Sequence, residues 1–399
     1  MFKARWLLAG LAAQILFLSC ISIAGAAPAP RVMTMRVPEG GLQPQVAVDG
    51  KGVVHMIYYK GDPKAGDIFY VRSEESGATS SPPLQVNSQA GSAIAVGNIR
   101  GPQLTIGKNG RIHVAWNGSG QAVPKGPANP NMPGMGASPM LYTRLNDEGT
   151  AFEPQRNLMQ FTYGLDGGGS VAADSEGNVY VAWHAGAEGS KGEADRKIWI
   201  ARSTDDGQTF SREYAAWGKP TGACGCCQVK LFTDSKGVVY LIYRAATENV
   251  NRDMYVLVSK DQGQSFEGTM VDPWQINKCP MSSESFMEDA SGLRTAWETA
   301  GQVLSALIDP ATLQKSASVS APEKGQNRKH PVLAANANGD FILVWTEGMG
   351  WSRGGAVAWQ VFDKSGQPIP GTNGRKDGVP AWSLVSAFAR PDGGFTVIY

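Results

Sequence analysis

The sequence predicts an all-β protein in which a four-stranded unit is repeated around a ring, a β-propeller, and three observations predict it. A pair of short apolar strands joined by a glycine turn recurs from one end of the 399-residue chain to the other. A further strand pair lies between successive copies. The composition agrees, because 42% hydrophobic and 18% charged residues with 49 Gly and 24 Pro suit short strands and tight turns better than long helices.

The first strand pair is clearest in Pro44-Gln45-Val46-Ala47-Val48 with Val53 to Tyr58, and in Pro102 to Ile106 with Arg111 to Trp116. Further copies turn at Gly177, Gly237, Gly292, Gly339 and Gly393, and their second strands end near Trp183, Tyr243, Trp297, Trp345 and Tyr399. The repeat length, roughly 45 to 70 residues, fits propeller blades with some long loops. Third strands are expected at Ile68 to Arg72, Met140 to Arg144, Lys197 to Ala201 and Asp253 to Leu257, which alternate or are apolar throughout, as half-buried and buried strands do. One such unit cannot cover both its faces, so neighbours must stack, and closing the stack removes exposed edges. Seven blades are favoured over six. The last pair ends the chain without outer strands, and residues 32–37 are expected to supply one and close the ring.

The turn after each third strand carries a pattern of its own. Ser203-Thr204-Asp205-Asp206-Gly207-Gln208-Thr209-Phe210 and Ser259-Lys260-Asp261-Gln262-Gly263-Gln264-Ser265-Phe266 fit Ser-x-Asp-x-Gly-x-x-aromatic, and Asn146 to Phe152 is a degenerate copy. The carboxylate can accept backbone hydrogen bonds across the turn, the glycine supplies a positive φ, and the aromatic packs between sheets. With these turns at one place in a repeated unit, the chain resembles the sialidase-like propellers of the Asp-box (BNR repeat) superfamily along nearly all of residues 27–399, read as a single domain. The resemblance implies that the boxes are structural turns. It also implies six blades in the catalytic members.

The first 26 residues read as a signal peptide. Lys3 and Arg5 precede an apolar stretch, Trp6 to Ile23, and Ala24-Gly25-Ala26 is a small-residue cleavage site. This places the mature protein in the periplasm or outside the cell with no membrane-spanning segment left after cleavage; lipidation at Cys20 is the alternative. The formal charge of +1 falls close to zero once Lys3 and Arg5 are removed, which excludes nucleic acid as a partner and leaves a glycan or another small molecule.

In a propeller the loops entering each first strand and those joining second to third strands emerge on one face, around the channel, where ligands bind. Two segments there are unusual: Thr221-Gly222-Ala223-Cys224-Gly225-Cys226-Cys227 and Asn277-Lys278-Cys279-Pro280-Met281-Ser282. They precede first strands of consecutive blades, so the four thiols should meet. Structural disulfides are one use of such a set in an exported protein. The other is a soft-metal site for copper or zinc, with Cys224, Cys226, Cys227 and Cys279 helped by Met281, His184 or His330. Adjacent Cys226 and Cys227 are not expected to point the same way in an extended chain.

The resemblance also implies a glycoside hydrolase constellation: three arginines that clamp a carboxylate, a Tyr-Glu nucleophile pair and an Asp acid/base. By position, Arg100, Arg244, Arg252 and Arg328 are the substrate-binding candidates, and Glu298 and Asp166 the catalytic ones. The Arg-Ile-Pro signature is only echoed in Asn98-Ile99-Arg100-Gly101-Pro102, and no Tyr-Glu pair can be assigned. Three functions therefore stand beside one another: a glycan hydrolase, a non-catalytic propeller binding a glycan or a protein, and a copper- or zinc-binding protein. His55 and His113, inside second strands, are expected to be packed or hydrogen-bonded. The proline- and methionine-rich loop 119–138 is a candidate cover for the channel mouth.

Overall fold

A computed structural model describes residues 29–73, 80–133, 137–323, 325 and 327–399; the leader, with Cys20 and the expected cleavage site, lies outside them, as does Met135 of the long loop. The chain forms seven sheets, six of four strands and a seventh of three. The inner strands of blades 1 to 7 are Leu42–Val48, Gln103–Ile106, Ser170–Ala173, Val229–Thr233, Ser285–Asp289, Arg328–Ala335 and Ser386–Ala389. Each packs beside the next, and the last returns to the first, so the ring is closed. This is the seven-bladed β-propeller predicted.

Blades 1 to 6 are antiparallel meanders. In blade 4, Val229–Thr233, Val239–Arg244, Met254–Ser259 and Glu267–Asp272 follow in order. The second strands are buried on both faces because each is sandwiched between neighbouring blades. Trp116, Trp183 and Trp297, which stand near the ends of three of them, are almost wholly removed from water. Large aromatic rings at these positions fill the space between wedge-shaped units, and truncating one such ring costs about 3–5 kcal/mol.

The seventh blade joins the two ends of the described chain. Val32–Met35 pairs with Phe395–Ile398, supplying the strand expected from the sequence, but runs parallel to it rather than antiparallel. Val37 N–H donates to Tyr399 O at 3.2 Å and Tyr399 N–H to Met35 O at 3.1 Å, so the ring is latched by backbone hydrogen bonds. The blade has no fourth strand among the described residues.

The Ser-x-Asp turns are built as their residue types require. Ser203 Oγ–H donates to Asp205 Oδ1 (2.7 Å) and accepts from Gly207 N–H (2.9 Å), while Thr209 N–H and Oγ–H close onto the same carboxylate at 2.8 and 2.6 Å. Ser259, Asp261, Gly263 and Ser265 repeat the pattern. Phe152 and Phe210 each meet, edge to face, a tyrosine of the preceding blade, Tyr70 and Tyr142 respectively. His55 and His113 hydrogen-bond through Nδ1 to those tyrosine hydroxyls, each at 2.7 Å, which assigns the two histidines to blade packing.

Candidate functional site

Five loops of blades 2 to 5 converge at the channel mouth and bring the thiols together. Cys224 N–H donates to Arg244 O at 2.9 Å, and Cys227 N–H turns back onto Cys224 O at 3.3 Å. The turn at Gly225 removes the alternation expected of an extended chain, so that Cys226 and Cys227 face the same way. The sulfurs of Cys224, Cys226 and Cys227 all lie within 4.8 Å of one another, with Cys224 and Cys226 3.5 Å apart. All three residues are buried and Met281 packs against them, held at a φ of 50°. Cys279 is exposed and stands beside this trio, and no disulfide joins any of the four.

The four sulfurs share their protons unequally. Hydrogen bonds from Cys224 and then Cys226 hold the Cys279 thiol down to about 3. Burial opposes ionisation of Cys227, but hydrogen bonds from Cys224 and Cys226 and the Arg244 guanidinium outweigh it and hold this thiol well below its usual range. Cys226 is pushed far up because its proton is committed to its neighbours, Cys224 first. Cys224 and Cys226 thus hold their protons more tightly than Cys227 and Cys279 do, and the grouped sulfurs are the donor type of a soft-metal ligand set.

Glu193 shapes the loop that carries three of the thiols. It sits in the short turn Glu193–Asp195 of blade 3. Its carbonyl accepts from Ala223 N–H (3.0 Å), its Oε1 from Gly225 N–H (2.6 Å), and its Oε2 lies 2.7 Å from Arg252 Nη1. Asp166-Gly167 covers the other side, where a Cβ at Gly167 would strike Cys227 O and His184 Nε2.

The arginines predicted to clamp a substrate do not converge. Arg100 is bound to Asp166, through its side chain and through Asp166 O (2.6 Å), and lies 5.6 Å from the centre of the Trp351 ring. Arg244 is spent on Ser282 Oγ (3.2 Å), Arg252 O (2.7 Å) and Glu298 O, tying three loops together. Arg252 faces Glu193. Arg328 pairs with Glu347 at 3.1 Å and donates to the carbonyls of Pro322 and Glu323, away from the thiols. Of the acid/base candidates, Asp166 is held by Arg100, while Glu298 is buried, accepts from Gly301 N–H (2.9 Å) and is pushed up by burial, which Arg244 only partly offsets. Among the described residues no tyrosine hydroxyl is hydrogen-bonded to a glutamate.

His184 does not offer a nitrogen to the sulfurs. Arg196 can only donate, so His184 Nδ1, 3.2 Å from Arg196 Nη1, is the acceptor and Nε2–H donates to Cys227 O at 3.2 Å. Burial and Arg196 lower its pKa to about 4, so it stays neutral. His330 lies deeper, with Nδ1 3.1 Å from Ser283 Oγ.

Below the thiols the channel narrows to a polar cavity of about 120 Å³, whose lining includes Gln103, Gln228, Lys230, Glu284 and His330. Glu284 is buried with no partner for either oxygen, and burial, then the nearby Cys227, raises its pKa well above the usual carboxylate range. Lys230 donates to Gln103 Oε1 (2.9 Å) and is lowered by burial to about 8. Sequence reasoning missed Glu284 and Lys230 as members of this region. The available signal was position, since each stands at or just before the start of an inner strand and so must face the channel.

No protein-family model matches the chain, and no curated protein does. Solved structures do. A protein of unknown function from Dyadobacter fermentans aligns with a TM-score of 0.53 at 14% identity, over 80% of this chain and 94% of that one. The Penicillium chrysogenum α-L-arabinanase complexed with arabinobiose gives 0.52 at 13%, over 83% and 95%. The NanB sialidase of Streptococcus pneumoniae gives 0.51 at 11%, over 80% and 67%. The chain has the sialidase-like propeller fold. At these identities the likeness is one of architecture, and function has to be argued from the site.

Proposed function

We propose that this propeller binds a single soft metal ion, Cu(I) in the first place and Zn(II) in the second, in the thiol cluster at its channel mouth. The observation that carries the reading is the convergence of three buried, unpaired sulfurs within 4.8 Å of one another, with a fourth cysteine beside them. An all-sulfur set with a thioether, Met281, in contact suits Cu(I). Cys224, Cys226 and Cys227 would hold the ion. Arg244 and Arg252 offset the thiolate charge, and Glu193 fixes the loop. The reading includes export: the leader would deliver the chain to the periplasm or the medium, where copper is handled outside the reducing cytosol.

The test is elemental analysis with free-thiol counting on the full chain purified without chelator, followed by anaerobic Cu(I) titration against a competing chelator. One equivalent of metal, lost together in Cys226→Ser/Cys227→Ser, is the expected result. No metal, no Cu(I) uptake and no free thiols would assign the cysteines to disulfides and overturn the reading.

A second reading rests on a separate observation. Trp351 is 45% exposed and stacks near Arg100, beside the half-exposed Asp166. An exposed indole next to an Arg-Asp pair on the channel face suits a sugar ring, and glycan hydrolases are among the proteins that share this fold. Binding of an arabino- or sialo-oligosaccharide that disappears in Trp351→Ala would support it.

A further inference from the structure

The four cysteines are not equivalent, and the difference lies in which of them meets solvent. Cys224, Cys226 and Cys227 are 1%, 8% and 1% exposed. Their surroundings close every inner side: Glu193 and Arg252 along the loop, Asp166-Gly167 over the Cys227 carbonyl, and Arg244 with Ser282 behind. Cys279 is exposed and follows two further exposed residues, Asn277 and Lys278, on the loop that enters blade 5. It is nevertheless carried to the edge of the trio, because Met281, two residues further along the same loop, packs against the three buried sulfurs. Cys227, by contrast, is anchored from behind, its Sγ 3.7 Å from Ser282 Oγ.

On the reading that the cluster binds Cu(I), we infer that Cys279 is the exchange ligand, through which the ion passes between the buried trio and a carrier that presents its own cysteine or methionine sulfur. A buried three-sulfur site alone would hold copper tightly and release it slowly, because no incoming ligand can reach the ion. A fourth sulfur at the surface provides the associative route. Transfer would begin with a copper bond to Cys279 Sγ forming as one to a buried sulfur breaks; the carrier sulfur would then bond the ion as the remaining bonds to this chain's sulfurs break one by one. Copper would stay +1 throughout, so neither oxidant nor reductant is needed. Each proton lost by an incoming thiol would be taken up by a cysteine sulfur of the cluster that has let the ion go. The partner is therefore a sulfur-bearing metal carrier or a small thiol, met at the channel mouth on the side of residues 277–279.

The experiment loads full-length wild-type protein and Cys279→Ser with Cu(I) under anaerobic conditions. It measures stoichiometry first, then the rate of transfer to a dithiol peptide added in excess. Both proteins should hold one equivalent, and Cys279→Ser should transfer at least tenfold more slowly. Equal transfer rates would overturn the role of Cys279 while leaving the metal site standing, and loss of copper in the variant alone would make Cys279 a holding ligand and equally overturn it. Failure of the wild type to take up copper would instead refute the metal reading itself. Alkylation of loaded wild-type protein, read by mass spectrometry, gives a check that needs no variant: Cys279 should be modified while the other three are protected, and uniform protection would contradict the exchange role.

Discussion

Glu193→Ala tests whether the thiol loop is held by the contacts described. The substitution removes the acceptor 2.6 Å from Gly225 N–H, a charge-assisted bond worth about 1.5–3 kcal/mol. It also strips the anion from Arg252, whose side chain is 6% exposed. Removing one partner from a fully buried pair costs about 3–5 kcal/mol. The Glu193 side chain is 27% exposed, however, so water can replace part of it and the ion-pair share falls toward the ~1 kcal/mol of a surface pair. The total is about 3 kcal/mol. Urea unfolding of the reduced protein measures it, and reaction of the thiols with a disulfide reagent reports the loop directly, since Cys224 and Cys226 should become reactive before global unfolding. Glu193→Gln keeps an acceptor for Gly225 without the charge and should recover about half the loss. Stability of Glu193→Ala within about 0.5 kcal/mol of wild type, with unchanged thiol reactivity, would refute the reasoning.

Two further predictions follow from backbone and burial. Gly237 and Gly263 both sit at a φ of 80°, but a Cβ at Gly237 meets nothing within 4 Å while one at Gly263 comes 2.7 Å from the Tyr180 ring. Gly237→Ala should therefore cost about 1–2 kcal/mol for the left-handed backbone alone. Gly263→Ala should cost about 1–3 kcal/mol more for displacing a packed ring, and equal denaturation midpoints would disprove the close-packing account of this turn. Glu284→Gln should stabilise the protein by about 1–3 kcal/mol at neutral pH, because the carboxylate is buried with neither oxygen partnered. The sign is fixed by its raised pKa: the folded state holds the proton more tightly than the unfolded chain, so wild-type stability is lost as pH rises from the ordinary glutamate value through the raised one. The gain of the variant over wild type, measured by denaturant midpoints, should be larger at pH 8 than at pH 5. A gain that shrinks as pH rises would contradict the burial argument.

The repeat was legible in the sequence because a propeller is a local code written seven times. Each blade needs its own glycine turn, its own apolar second strand and, in two cases, a turn whose aromatic meets a tyrosine of the preceding blade, and all of these lie within a few residues of one another. Topology extended that legibility to the mouth of the channel: the segments carrying Asp166, Cys224 to Cys227, Arg252 and Cys279 could be assigned to one face because strand order fixes where each loop emerges. What strand order cannot fix is direction within a loop. The turn of Cys227 N–H onto Cys224 O puts adjacent cysteines on one side, against the alternation an extended chain would give.

The arginines show the same limit from the other side. Position alone made Arg100, Arg244, Arg252 and Arg328 equivalent, but a guanidinium reaches several ångströms, and its partner is decided by whichever carbonyl or carboxylate other loops bring within that reach. Those partners proved to be Asp166, Glu298 O, Glu193 and Glu347. The sequence by itself determined the ring of blades and which loops share a face, because both depend on short-range pattern and chain order. Only the tertiary structure decided that adjacent Cys226 and Cys227 face the same way and that the arginines disperse, because side-chain direction depends on turns within loops and on distances between segments that the chain order leaves free.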